Sequence, residues 1–238
     1  MIYSRTHNAD LNRPLVSRRI VLMSAIAGIA GCAVPRLARA STSIVVPTST
    51  ANRQFSVLYA GEKIGAHTVT YSAATGETRI SIEIDLVVKA LFFTMFSYSH
   101  RSQEIWRGGR LMSLNSRTVE DGETIDVRGA ATPLGFRVVS KAGPFIASAT
   151  TLTSNSLWTP AVLEQTTVVD AQHGGVIGVS AHRIGEEQIA IGGRTVRTTR
   201  YTFITPYLAG SIWYDQENLW VRGEFERNGS KILYQLDT

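Results

Sequence analysis

The sequence predicts an all-β protein, a single curved antiparallel meander sheet of about 10 to 12 strands that forms a barrel or half-barrel, with one short helix. Three observations carry this expectation. Apolar and polar residues alternate over long stretches, glycine-bearing turns recur between those stretches, and only one segment of the domain carries a helix start signal.

The chain begins with a segment unlike the rest. Ser17, Arg18 and Arg19 precede an apolar run from Ile20 to Val34, and Ala38, Arg39 and Ala40 stand just before Ser41. A basic start, an apolar stretch and a small-x-small site make residues 1–40 an export signal. The Ser-Arg-Arg core resembles the twin-arginine signal, with Val21 where that pattern favours Phe or Leu, so the export machinery is an expected partner. The apolar run is about fifteen residues, short of the roughly 20 that a membrane-spanning helix needs. Ile29, Ala30, Gly31 and Cys32 also have the form of a lipobox. Lipidation at Cys32 would make the product a membrane-anchored lipoprotein, whereas cleavage after Ala40 would make it periplasmic or secreted. Both routes stand open, and membrane contact is expected only on the first.

Charge separates this leader from the domain. The chain carries 24 basic and 19 acidic residues, a formal net charge of +5. Six arginines and the single acid Asp10 lie in the leader, which leaves 18 basic and 18 acidic side chains beyond it. A nucleic-acid binder needs a basic surface to neutralise phosphates, so no nucleic-acid partner is expected. Cys32 is the chain's one cysteine, so the domain has no internal disulfide or thiolate chemistry and depends on its apolar core.

Residues 41–52, rich in Ser, Thr, Pro and Asn, read as a polar lead-in, and residues 53–238 as one barrel-like domain. Its first strands are Phe55 to Tyr59, closed by Ala60, Gly61 and Glu62, and Ile64 to Tyr71, closed near Gly76. Ile80, Ile82, Ile84, Leu86 and Val88 then alternate with mostly polar residues, the period of a strand with one buried face. Further turns fall at Gly108-Gly109, Asp121-Gly122, Gly174-Gly175, Gly192-Gly193 and Asn228-Gly229. These residues accept the positive φ that tight hairpins require. The one helix is expected at Thr159 to Gln165, with Thr159 as N-cap and Pro160 in the first turn, acting as a short lid or plug.

The strand from Phe96 to Arg107 carries the most chemistry. Alternation puts Phe96, Tyr98, His100, Ser102, Glu104 and Trp106 on one face. His100 and Glu104 are then roughly 13 Å apart along the strand, too far for a direct bond. Arg117 and Tyr214 are candidate partners from neighbouring strands. His67, His173 and His182 are scattered without a metal-ligand spacing and read as structural or solvated. The sequence has no Gly-x-Ser-x-Gly elbow, phosphate loop, His-Glu-x-x-His or dinucleotide fingerprint, and neither a cofactor nor a metal is expected.

The stretch Phe55 to Gly65, with His100, Glu104, Trp106, Gly109, Leu111, Thr118, Gly122, Trp213 to Asp215 and Leu233 to Leu236, resembles an uncharacterised family of exported bacterial all-β proteins, a domain of unknown function. In layout it is similar to lipoprotein-carrier-like half-barrels. The resemblance implies a curved sheet and no catalytic residue. The expected role is a cell-envelope protein that binds a lipid or other apolar small molecule, with Tyr98, His100, Glu104, Trp106, Trp158 and Trp213 as candidate ligand-binding residues. The alternatives are a structural or assembly factor of the envelope, or an envelope enzyme using His100 and Glu104.

Overall fold

A computed structural model of the chain describes Ile44, Val46 and residues 51–90, 93–227 and 229–237. The expected export signal and cleavage site, and Cys32, lie outside the described residues.

Among the described residues fifteen strands follow one another along the chain. They are β1 (Ala51–Tyr59), β2 (Glu62–Ala74), β3 (Glu77–Ala90), β4 (Phe93–Arg107), β5 (Arg110–Glu120), β6 (Glu123–Thr132), β7 (Gly135–Ser140) and β8 (Gly143–Ala147), then β9 (Thr167–Val169), β10 (Val176–Gly178), β11 (Ser180–Ile191), β12 (Arg194–Ile204), β13 (Ala209–Asp215), β14 (Trp220–Arg227) and β15 (Ser230–Leu236). Thirteen of them form one antiparallel sheet in the order β11-β12-β13-β14-β15-β1-β2-β3-β4-β5-β6-β7-β8. Two meanders are therefore joined where β15 pairs with β1, with Phe55 opposite Leu236. The edge strands β8 and β11 do not pair with each other, so the barrel stays open.

The sheet has more strands than the turns suggested because residues 135–147 hold two further short strands, β7 and β8. Their connections lack the paired turn residues that marked the others, and the positive φ falls instead on Gly135 and Gly143, the first residues of β7 and β8. At the N-terminal side, Ala51 and Asn52, read as lead-in, already belong to β1, while Ile44 and Val46 pack against the core. Isolated apolar side chains in a polar stretch can still find apolar surface to cover.

The connection from β8 to β11, residues 148–179, gives the fold its interior. It contains the β9–β10 hairpin and two short 3-10 turns, Ser156–Trp158 and Pro160–Glu164. The expected helix at Thr159 is thus a 3-10 turn, with the Thr159 hydroxyl accepting from the Ala161 N–H at 3.4 Å. Leu152, Leu157, Trp158, Val162, Val168 and Ile177 are buried in the same core as Ile80, Ile82, Trp106 and Ile212 of the sheet. Trp158 meets Tyr71 and Trp106 edge-on, at 6.3 and 5.5 Å between ring centroids. Tyr214 of β13 donates to the Leu157 carbonyl at 2.9 Å, and Ser116 of β5 to the Ala171 carbonyl at 2.6 Å. The connection is therefore an internal plug held by strands from both meanders.

Candidate functional site

Strand β4 keeps the expected alternation. His100, Ser102, Glu104 and Trp106 are buried and the intervening Arg101, Gln103 and Arg107 are exposed. His100 sits between Ile84 and Thr118 in the register, and Glu104 between Ile80 and Leu114. They do not bond to each other, and each engages the plug. The Glu104 carboxylate accepts from the Thr153 hydroxyl at 2.6 Å and from the Trp106 indole N–H at 2.9 Å. Burial outweighs those two donors and pushes its carboxyl up to about 6.

The hydrogen bonds around His100 fix its tautomer. Thr118 Oγ1 donates its proton to the Gln172 carbonyl at 2.8 Å, so it can only accept from His100 Nδ1, 2.9 Å away. The ring's Nε2 is then an acceptor and receives the Asn155 side-chain N–H at 3.0 Å. Burial lowers the His100 pKa to about 4, consistent with a neutral ring. These two residues fasten residues 153–172 to the sheet.

Above this layer the sheet and the plug enclose a cavity of about 590 Å³. Ile84, Leu86, Leu157, Val162, Phe203 and Tyr234 supply much of its apolar wall. Tyr98 lines it as well, stacked between Phe96 and His100 at 6.3 and 6.5 Å. The other sequence candidates sit elsewhere. His100, Glu104, Trp106 and Trp158 fill the packed layer next to the cavity rather than its wall. Trp213 belongs to a separate small cluster with Ile191 and Val221, where the Arg200 guanidinium lies 4.9 Å from its ring centre and its indole N–H meets Glu187. The β13–β14 register shifts between Trp213 and Tyr214, a position that alternation alone does not locate. Arg117 pairs with Asp126 on the exposed face, and Tyr214 serves the plug rather than His100.

The cavity also has a charged border that sequence reasoning passed over. Asp170 and His173 of the plug, Glu120 of β5 and Tyr207 of the β12–β13 turn all line it. His173 contacts carboxylates with both ring nitrogens, Nδ1 to Asp170 at 3.2 Å and Nε2 to Glu120 at 3.3 Å. The Asp170 hydrogen bond raises its pKa against burial, with Glu120 adding to the rise. Burial pushes the Asp170 carboxyl up, but His173 and the backbone N–H groups of Gln172 and His173 hold it below its ordinary value. Tyr207 donates to the same carboxylate at 3.2 Å. In sequence His173 is marked only by the Gly174-Gly175 turn that follows it; Asp170 is three residues earlier, and Glu120 comes from a remote strand. Among the described residues no group of three His, Cys, Asp or Glu side chains is arranged to hold a metal ion.

His67 stands on the opposite side of the same space. Its ring lines the cavity and is only 4% exposed, with neither nitrogen hydrogen-bonded. Trp220 and Tyr234 contact it at 5.2 and 5.9 Å, and burial, aided by the neighbouring His100, lowers its pKa to about 3.

The family model for DUF6134, a domain of unknown function, matches residues 55–237. No curated protein matches the chain. Among solved structures, a β-barrel-like protein of domain of unknown function DUF1849 from Brucella abortus is similar with a TM-score of 0.58 and 8% identity, covering 80% of this chain and 97% of that one. At that identity the likeness concerns the fold, an uncharacterised all-β architecture.

Proposed function

We propose that this chain, which belongs to the DUF6134 family of unknown function, is an exported cell-envelope protein that holds a lipid or another apolar small molecule between its curved sheet and its internal plug. The observation that carries this reading is the cavity itself. Its volume of about 590 Å³ falls inside the range of roughly 300 to 1,000 Å³ typical of small-molecule sites, and an apolar wall with a few polar groups at its border suits an amphipathic ligand. His100 and Glu104 each make one hydrogen bond to the plug and one to the sheet, which favours a holding role for them over a chemical one. The paired arginines, apolar run and small-x-small site of residues 1–40 support export.

Titration with a dansyl-labelled undecanoic acid tests the reading. The parent is expected to bind saturably, and Leu86→Trp, which builds bulk into the cavity wall, to weaken binding about tenfold, roughly 1.4 kcal/mol. Thermal melting checks that the variant is folded. Failure of the parent to saturate with this probe and with a panel of acyl lipids and isoprenoids would remove the reading.

A further inference from the structure

Where the packed layer meets the cavity, one row of the sheet carries two buried histidines in opposite circumstances. His67 of β2 pairs with Phe55 of β1 and Ile84 of β3, and Ile84 pairs in turn with His100 of β4. The two rings therefore share a face and stand two strands apart, roughly 10 Å. His100 has both nitrogens engaged, by Thr118 and Asn155. His67 has neither engaged, although it is just as deeply enclosed. Phe55, Trp220 and Tyr234 surround its ring, with centroids at 6.1, 5.2 and 5.9 Å.

Buried polar groups in folded proteins nearly always have a hydrogen-bond partner, and one without is costly. The space that His67 borders is the cavity, so the missing partner is a group that the cavity admits. Because neither nitrogen holds a bond, a half-turn of the ring about χ2 exchanges its carbons and nitrogens without losing one.

The charges around the cavity narrow the chemistry of that group. Its acidic lining residues are Glu120 and Asp170, and its cationic ones are Arg227 and His173. Arg227 lies 3.8 Å from Glu120, and His173 contacts both carboxylates. A ligand carboxylate would meet two others and no cation that the protein has not already paired. At His67 any charged group would also leave water for aromatic and aliphatic walls, a penalty that an ion pair in such surroundings often fails to offset. A neutral imidazole offers one donor and one acceptor, and a hydroxyl matches either, since it donates to a bare nitrogen and accepts from an N–H.

We propose that the ligand of this cavity is an uncharged apolar alcohol and that His67 binds its hydroxyl. The proposal rests on the ligand-holding reading above, and adds the class of the ligand and the residue that selects it.

Three probes that share one dansyl label test it: labelled undecanol, undecanoic acid and undecane, each titrated into the full chain as its host processes it. The parent is expected to bind the undecanol about tenfold more tightly than either of the others. His67→Phe keeps a ring in place, so it should bind undecanol and undecane alike, with the undecane affinity of the parent. Thermal melting checks its fold. Nitrogen NMR of the histidine-labelled parent needs no folded variant: the His67 ring resonances should shift with undecanol and hold still with undecane. Equal parent affinity for undecanol and undecane overturns the proposal and leaves the holding reading intact. So does an undecanol preference that survives in a folded His67→Phe, tighter binding of the acid than of the alcohol, or ring resonances that ignore undecanol. Saturation with none of the three probes overturns it as well, and the holding reading falls with it only if the acyl lipids and isoprenoids also fail.

Discussion

Replacing Trp106 with alanine is expected to lower the free energy of unfolding by about 3 to 5 kcal/mol, the usual range for removing a large aromatic ring from a packed core. The ring is 1% exposed and forms an edge-on contact with Trp158 of the plug. Its loss opens a void between sheet and plug and also takes a donor from the buried Glu104 carboxylate. Arg107→Ala, one residue on, should change stability by no more than about 0.5 kcal/mol, because its ion pair with Glu77 lies on the exposed face. Urea denaturation of the two variants and the parent measures both. A Trp106→Ala cost below about 1 kcal/mol would show that the packed layer is not what seats the plug.

Acid is expected to destabilise the fold through two buried neutral histidines. His67 and His100 have folded values of about 3 and 4 against an ordinary 6.5. Between those limits the unfolded chain binds the proton and the folded chain does not, so stability falls as pH drops below 6.5. From pH 7 to 5 each histidine costs about 2 kcal/mol, at about 1.4 kcal/mol per pH unit. Glu104 acts in the other direction. Its folded value near 6 exceeds the ordinary 4.5, so lowering the pH to 5 returns about 1.4 kcal/mol as the buried carboxylate takes up its proton. His173, with its raised value, contributes stability that is complete below 6.5 and fades as pH rises through the folded value. The histidine pair sets the dominant slope. His67→Phe isolates half of it, because the ring shape is kept and neither nitrogen has a partner to lose. The variant should match or exceed the parent at pH 7 and exceed it by about 2 kcal/mol at pH 5. Denaturation curves at the two pH values check this, and an unchanged pH dependence would contradict a buried, neutral His67.

The sheet was legible because its information is local. Ile80, Ile82 and Ile84 alternate with exposed or half-buried neighbours, and the parity that put His100, Glu104 and Trp106 on one face of β4 survives in the structure. Asp121 and Gly122 turn the chain with positive φ, as their types suggested. The plug was not legible, because its order comes from partners far away in sequence. Thr153 and Asn155 are ordinary polar residues until Glu104 and His100, 49 and 55 residues earlier, accept their hydrogen bonds. The cavity border fails to show for the same reason, since Glu120, Asp170, His173 and Tyr207 come from three separate segments. Aromatic residues pointed to the interior correctly as a class, yet size alone does not tell a ring that packs, such as Trp158, from one that lines space, such as Tyr98.

Native mass spectrometry of the protein purified without organic solvent from its own host cells tests the central claim most directly. A noncovalent apolar adduct on the folded chain is the expected result, removed by collisional activation and depleted in Leu86→Trp. A bare polypeptide mass under gentle conditions, from a parent that also takes up no acyl lipid or isoprenoid when these are added back, would contradict it.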